Sequence, residues 1–344
     1  MDRKTITIDG SEGEGGGQVL RSALALSLIT RRPITLTKIR GRRKKPGLMR
    51  QHLTAVRAAA AIGDAAVEGA AIGSQELRFA PKSIRHGEHR FAVGTAGSAT
   101  LVLQTVLWPL LVAPGRSRLR LEGGTHNPLA PPFDFIERVL CPILASMGAR
   151  IGVKLLRHGF FPAGGGCFEV EIEGGAALRP LTLEARGQPG RRRARALVAN
   201  LSREIGEREL AVVHERLGWA GEELAVEMVE SNGPGNALLL EVESEHAREL
   251  VSAFGEPGGR SEEVARAAVD EAREYLGSDV PVGRHLADQL LIPFALAGGG
   301  SFRTLRPTLH TTTNAALCGR FLEHEIVIER EEGGAARVAV VRGT

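Results

Sequence analysis

The sequence predicts an α/β (α+β) protein: three repeats of a small sheet carrying two helices on one face, the third repeat interrupted by a further α/β domain. Three observations lead there. A pattern of strand, glycine-rich loop and helix recurs three times along the 344 residues. The stretch 187–278 breaks that pattern behind a border rich in Gly, Pro and Arg. The chain is also too long for one compact core, and at 43% hydrophobic and 24% charged it has the composition of a globular protein.

The first unit opens on Thr5 to Asp9, where Thr and Ile alternate as in a strand. Gly10 to Gly17 is a loop, and Gln18 to Thr30 has leucines at helical spacing. Pro33 to Ile39 alternates again, a basic loop follows, and Leu48 to Ile62 is an alanine-rich helix. In the second unit Phe91-Ala92-Val93 leads into the loop GTAGSA and a helix from Ser98 to Val112. A strand at Leu119–Leu121, a helix from Pro132 to Met147 and strands at Ile151–Leu155 and Phe168–Ile172 complete it. The third unit starts at Leu181–Ala185 and resumes with a helix from Gly283 to Ala297. Strand Ser301–Leu305, helix Thr311–Phe321 and strands at Ile326–Glu329 and Val338–Val341 close it. The interruption begins with Gly187–Arg195, expected as a linker. Two helix-like runs, strands at Leu224–Val229 and Ala237–Val242 and a helix from Ser261 to Tyr275 follow. The predicted boundaries are a large domain of residues 1–186 and 279–344 and an inserted domain of residues 187–278.

Composition excludes several classes. Disorder, collagen and coiled coil do not fit. The formal net charge of +4 is mild and suits a phosphate-bearing partner better than a basic one. Cys141, Cys167 and Cys318 are far apart and form no C-x-x-C pair, so neither a zinc knuckle nor a disulfide framework is supported. They read as small buried hydrophobes of a reducing compartment. The N-terminus lacks an apolar signal core, and the longest apolar run, Leu101 to Ala113, is interrupted and too short for a bilayer. A cytoplasmic protein is expected.

The candidate chemistry lies in the loops. SEGEGGGQ follows a strand and opens a helix, where anions bind. It is not a dinucleotide fingerprint, because Gln18 stands where the last glycine belongs, and no Gly-Lys-Ser/Thr makes it a Walker loop. Glu14 offers a carboxylate for a divalent metal and Arg21 a grip on phosphate. Gln104 is a lone amide in an apolar helix, ordinarily a satisfied core residue and otherwise a ligand reader. The segment KIRGRRKKPGLMR, Lys38 to Arg50, has seven basic residues and no acid, and runs into Gln51-His52. In a strand-to-helix loop it suits phosphate clamping better than a solvated face. Arg191-Arg192-Arg193 with Arg195 reads equally as a solvated linker or an RNA track. His86 and His89 have the wrong spacing for a helical metal pair and read as a surface turn. Aromatics are only 4%, so an RNA-binding reading favours the backbone or an end over base stacking. The richest constellation is RHLADQLLIPFALAGGG followed by PTLHTTTN. It puts Asp288 and Gln289 on one helix, and His310 after a strand and a proline, before three threonines and Asn314. A lone histidine is more often structural; these neighbours raise a nucleophile reading.

Together DGSEGEGGGQVLRSAL, KPGLMRQHLTA, GTAGSATLVLQT, GGTHNPLAPP, SNGPGNALLLEVESE, HLADQLLIP and the His310 segment resemble the RNA 3′-terminal phosphate cyclase family, over essentially the whole chain. The resemblance implies three repeats of a two-helix, four-stranded unit, with a smaller thioredoxin-like domain inserted in the third. It implies ATP as substrate, a divalent metal (Mg2+ or Mn2+), an RNA with a 3′-terminal phosphate as partner, and no obligate protein partner. His310 matches the adenylated histidine. Gln104, Pro131, His285, Leu286, Ala287, Asp288 and Gln289 match the nucleotide pocket. Arg21, Arg40, Arg43, Gln51 and His52 match the phosphate surround, and Glu14 the metal-side carboxylate. Two positions depart from the pattern: His285 stands where a tyrosine often stacks on adenine, and His126 where an acid can occur. Three rivals follow: an assembly factor of a branch without the nucleophile, an enolpyruvyl transferase sharing only the repeat architecture, and an RNA-binding protein that consumes no ATP.

Overall fold

The computed structural model describes residues 4–342. It is a mixed α/β structure with four four-stranded mixed sheets. Strand β1 (Ile6–Asp9) leads to helix α1 (Gly17–Thr30), β2 (Ile34–Thr37), α2 (Arg50–Gly63), β3 (Ala66–Glu68) and β4 (Leu77–Ala80). Then come β5 (Gly87–Ala92), α3 (Ala99–Val112) and β6 (Arg116–Gly123). The helical run α4 (Phe133–Phe135) and α5 (Cys141–Ser146) follows, joined by a π-helical turn at Ile136–Leu140, and β7 (Arg150–Arg157) and β8 (Gly166–Glu173) come next. After β9 (Thr182–Leu183) come β10 (Pro189–Ala199), α6 (Glu204–Leu217), β11 (Leu224–Met228), β12 (Gly235–Ser244), β13 (Arg248–Phe254) and α7 (Ser261–Leu276). The chain closes with α8 (Arg284–Ala297), β14 (Gly300–Thr304), α9 (Leu309–Phe321), β15 (His324–Arg330) and β16 (Ala336–Arg342).

Three sheets share one order and one pairing sense: β1-β2-β4-β3, β5-β6-β8-β7 and β9-β14-β16-β15, each with its first two strands parallel and the rest antiparallel. The fourth, β11-β10-β12-β13, is ordered differently. Helix α1 packs against α2, α3 and α9, and its Leu20, Leu24, Leu26 and Leu28 are fully buried. This places the N-termini of several helices around one region. Those helices and three sheets enclose one hydrophobic cluster; α6, α7 and one face of the fourth sheet enclose a second around Trp219 and Tyr275.

Two expectations fail in the middle segment. Gly187–Arg195 is not a linker but most of β10, a central strand paired with both β11 and β12. The reason is alternation: Ala194 and Ala196 face the smaller core, while Arg195, Leu197 and Ala199 face the larger one. Two helix-like runs are expected before Ser261, and one α-helix forms there, Glu204–Leu217; the edge strand Arg248–Phe254 was not expected. Two short strands lie outside the predicted elements: β4, where Leu77 and Phe79 are buried on either side of exposed Arg78, and β3, a three-residue edge strand.

Candidate active site

His310 is the second residue of α9, not a strand-end residue as its position after Pro307 suggested. Thr308 caps the helix, its Oγ1 accepting the Thr311 amide at 3.3 Å. The imidazole is half-exposed, at 47% of its side-chain area. Its Nδ1 lies 2.9 Å from Gln18 Oε1, on the first turn of α1. Gln18 Nε2 in turn donates to Asp288 Oδ2 at 2.5 Å. That same oxygen accepts Gln289 Nε2 at 3.2 Å, and Gln289 Oε1 accepts from Gln104 Nε2.

This chain of amides has a direction. Asp288 Oδ2 receives two N–H donors, so it acts as an acceptor. Gln18 must then turn its nitrogen to Asp288 and its oxygen to His310. An oxygen facing Nδ1 requires Nδ1 to carry the proton, which leaves the lone pair of a neutral imidazole on Nε2. Desolvation lowers the His310 pKa below 6.5; Arg21 and Arg43 act the same way, and Glu14 opposes them. His310 is a neutral imidazole with Nε2 open.

Glu14 and the arginines surround that nitrogen. Glu14 Oε1 is 3.9 Å from His310 Nε2 and is paired with Arg43; its Oε2 accepts the Gly16 amide at 2.7 Å. Its own amide donates to Thr313 Oγ1 at 2.9 Å, which ties the glycine loop to α9. Gly17 needs its missing side chain: a Cβ there would lie 2.6 Å from His52 Nε2 and 2.8 Å from Arg21 Nη1. Arg21 is half-buried, with its Nε buried and unpartnered, and desolvation takes its pKa down to about 10. His52 Nδ1 accepts the Met49 amide at 3.3 Å. Burial first, then Arg21, Arg40 and Arg43, push the His52 pKa down to about 3, so it too is neutral. A small cleft lined by Gln18, Arg21, Gln104, Trp108, Asp288 and Gln289 lies on the far side of Gln18 from the imidazole.

The remaining predicted residues are less uniform. Arg40, at a φ of 56°, donates to the carbonyls of Lys45 and Gly47 at 2.6 and 3.0 Å and so braces the basic loop. Burial lowers its pKa. Gln51 Oε1 accepts the Ser98 amide at 3.0 Å, and the Pro131 carbonyl accepts Thr100 Oγ1 at 2.8 Å, so both help form the start of α3. Leu286 and Ala287 are 1% exposed and belong to the core. Burial raises the Asp288 pKa to about 7. His285 is exposed, with Nε2 3.1 Å from Glu271.

The sequence marks the threonines and Asn314 as neighbours of His310 but gives Gln18, Thr313 and Asn314 no roles of their own. The signal for Gln18 was present as an amide where a glycine loop should end. Asn314 Nδ2 donates to the Asp288 carbonyl at 3.0 Å, joining α9 to α8.

Other motifs resolve structurally. His126 belongs to a buried chain: Thr125 Oγ1 lies 2.9 Å from Nδ1, and Nε2 lies 2.8 Å from Asp134. With Thr125 and His126 each 1% exposed, this Thr-His-Asp order has no access for a substrate. His86 and His89 bond to Ser117 Oγ and the Arg85 carbonyl, and His89 lies in β5, not in a turn. Three arginines of the cluster are paired with acids: Arg192 with Glu223, Arg193 with Glu227, and Arg195 with Asp134 and Glu241. Among the described residues no three His, Cys, Asp or Glu side chains cluster as a metal cage, and no helix is long and apolar enough to cross a membrane.

A family model described as "RTC: RNA 3'-terminal phosphate cyclase" matches residues 12–328. The chain is similar to the RNA 3'-terminal phosphate cyclase of Ectopseudomonas mendocina, 49% identical over 344 residues and covering 100% of both chains. It is 51% identical to that of Salmonella enteritidis over 331 residues, 96% of this chain and 97% of the relative. With the cyclase of Koribacter versatilis it shares 49% identity over 336 residues, 97% and 94% of the two chains. A match across nearly the whole length, at half identity, places this chain in the RNA 3′-terminal phosphate cyclase family.

Proposed function

We propose that this protein converts the 3′-terminal phosphate of an RNA to a 2′,3′-cyclic phosphate at the expense of ATP, with His310 as nucleophile. The observation that carries the reading is the held imidazole: Nδ1–H on Gln18, and Nε2 open beside Glu14 and its partner Arg43. His310 Nε2 attacks the α-phosphorus of ATP. The bond to the β-phosphate oxygen breaks, pyrophosphate leaves, and a phosphoramidate to AMP remains. An oxygen of the RNA 3′-phosphate then displaces the histidine from that phosphorus. Finally the neighbouring 2′-hydroxyl attacks the 3′-phosphorus, loses its proton, and expels AMP. Splitting one hard displacement into steps is what covalent catalysis contributes.

In this reading Gln104, Pro131, His285, Leu286, Ala287, Asp288 and Gln289 form the nucleotide pocket, Leu286 and Ala287 through backbone and packing only. Arg21, Arg40, Arg43, Gln51 and His52 form the phosphate surround. Arg21, with an unpartnered buried donor, is suited to a phosphate oxygen. Neutral His52 adds a donor without a charge. A divalent metal, Mg2+ or Mn2+, fits on one condition. Glu14 offers a single carboxylate, enough for an ion that takes its other ligands from phosphates and water, once Arg43 turns to phosphate. Such an ion would neutralise charge on the phosphates in transit.

Residues 1–186 and 279–344 form a large domain of three like units, and residues 187–278 a thioredoxin-like domain inserted in the third. Three sheets of one order, a fourth of another order, and two hydrophobic clusters support it. The partner is RNA, no protein partner is required, and the reaction is cytoplasmic.

The test uses α-labelled ATP and a divalent metal without RNA, followed by denaturation. Wild type acquires acid-labile, alkali-stable AMP, His310→Ala acquires none, and RNA ending in a 3′-phosphate discharges the label. Folded wild type that stays unlabelled across metals sinks the reading.

A further inference from the structure

Three consecutive residues at the start of α8 are each held by a carboxylate from the middle segment. Gly283 donates its amide to Glu249 Oε2 at 2.7 Å. Arg284 pairs with Glu274. His285 Nε2 lies 3.1 Å from Glu271 Oε1. Glu249 comes from β13; Glu271 and Glu274 lie three residues apart on α7 and share one face. Glu249 is 3% exposed, its other oxygen accepts the Leu250 amide at 3.0 Å, and any side chain at Gly283 would run into it. A carboxylate at this helix N-terminus satisfies an orphan amide and matches the positive end of the dipole. One turn further along, Asp288 and Gln289 face Gln18 and Gln104.

The His285 ring shows an unusual combination. Its side chain is 67% exposed, yet its Nε2 edge is tied to a carboxylate only 27% exposed. A ring fixed by its edge with its face open is a stacking platform whose orientation is set before a base arrives. Free imidazoles lose side-chain freedom on stacking; a tethered one loses less. Glu271 holds the ring as its partner, and the pairing supports positive charge on the imidazole, which adds electrostatic attraction for a π face.

We propose that Glu271 is a positioning residue for nucleotide binding: from the middle segment it clamps His285 as an edge-tethered platform for the nucleobase, with Glu249 and Glu274 fixing the helical turn that carries it. The proposal rests on the ATP-pocket reading above. It makes the middle segment part of the nucleotide site without any residue of it touching phosphate.

The test is AMP labelling of His310 with ATP and a divalent metal, without RNA, at pH 6.5, in a double-mutant cycle. Glu271→Ala raises the ATP concentration for half-maximal labelling about five- to tenfold, a share of what a charged hydrogen bond contributes. The maximal rate stays within about twofold, since the His310 nucleophile is untouched. Glu271→Gln, which keeps a hydrogen-bond acceptor, lies between. In a His285→Tyr background, where no imidazole needs the carboxylate, Glu271→Ala has no effect on half-saturation. An unchanged half-saturation in the first variant overturns the proposal. So does the same shift in the tyrosine background, which assigns Glu271 a purely structural role. Unlabelled wild type overturns the ATP reading and this proposal together; labelled wild type with an insensitive Glu271→Ala overturns only this one.

Discussion

At the scale of single residues the site is organised by one amide. Gln18 receives the Nδ1 proton of His310 and gives its own to Asp288, so it selects the reacting nitrogen and fixes the ring plane. Gln18→Leu keeps the volume and removes both bonds. The expected outcome is a fall of about 10²-fold in the maximal rate of AMP labelling, the size of effect that misorienting a reacting group has. ATP half-saturation should change little; a proportional loss in both would mean that Gln18 serves binding instead. The protonation of His310 gives a second outcome. Desolvation lowers its pKa, and Arg21 and Arg43 add to that against Glu14, so the neutral form persists below 6.5. The labelling rate should stay level from pH 8 down to 6.5 and fall only at more acid pH. Rates measured across pH 5 to 8 with a midpoint above 6.5 would contradict this assignment.

At the scale of elements, helix starts carry the chemistry, and this determined what the sequence revealed. The glycine loop before α1, the basic loop before α2 and the Asp288-Gln289 helix were legible because residue type and place in a strand–loop–helix pattern coincide there. The position of His310 was not, because Pro307 reads as a break, whereas Thr308 caps and α9 begins at Leu309. Strand β10 is hidden in the sequence for a related reason. Its arginines look like a solvated border until the acids that pair with them, Glu223, Glu227, Asp134 and Glu241, arrive from distant elements. Gln18 was visible only as an exception to a motif, since its partners lie 270 and 292 residues away. The cap on α9 is open to test. Thr308→Ala removes the acceptor for the Thr311 amide and should cost about 1 kcal/mol of stability. Because His310 sits in that first turn, labelling should slow as well, whereas Thr308→Ser should restore both. Denaturant unfolding and labelling on the same three proteins decide it, and a stability loss without a rate loss would separate the cap from the site.

Across the whole molecule, buried titratable groups of opposite kinds set how stability depends on pH. Burial raises Asp288 and Glu249 to about 7 and Glu209 to about 8. A carboxyl raised on folding holds a proton that the unfolded chain has released, so stability falls as pH climbs from the unfolded value to the folded one. Burial lowers His52 to about 3 and His158 to about 4. For these the unfolded chain holds the extra proton, so stability rises with pH up to 6.5 and gains nothing beyond. Asp134 adds no change in this range. Burial alone would raise it, but His126 and Arg195 outweigh burial and hold it well below the usual carboxylate range, so its contribution is lost only in strong acid. His285, raised by Glu271, loses its contribution above 6.5, in the same sense as the buried carboxyls. The two sets oppose each other between pH 5 and 6.5, and only the destabilising set acts from 6.5 to 8. Melting temperature should be nearly level over the first interval and fall over the second. Each group still protonated gives a slope of about 1.4 kcal/mol per pH unit. Glu209→Gln isolates one term: it keeps an acceptor for Asn236 and removes the titration, so its melting temperature should exceed that of wild type by a margin that grows from pH 5 to pH 8. A melting temperature that stays level from pH 6.5 to 8 would mean these carboxyls are already ionised in the folded protein, and the site would then hold Asp288 as a full charge near His310 at neutral pH.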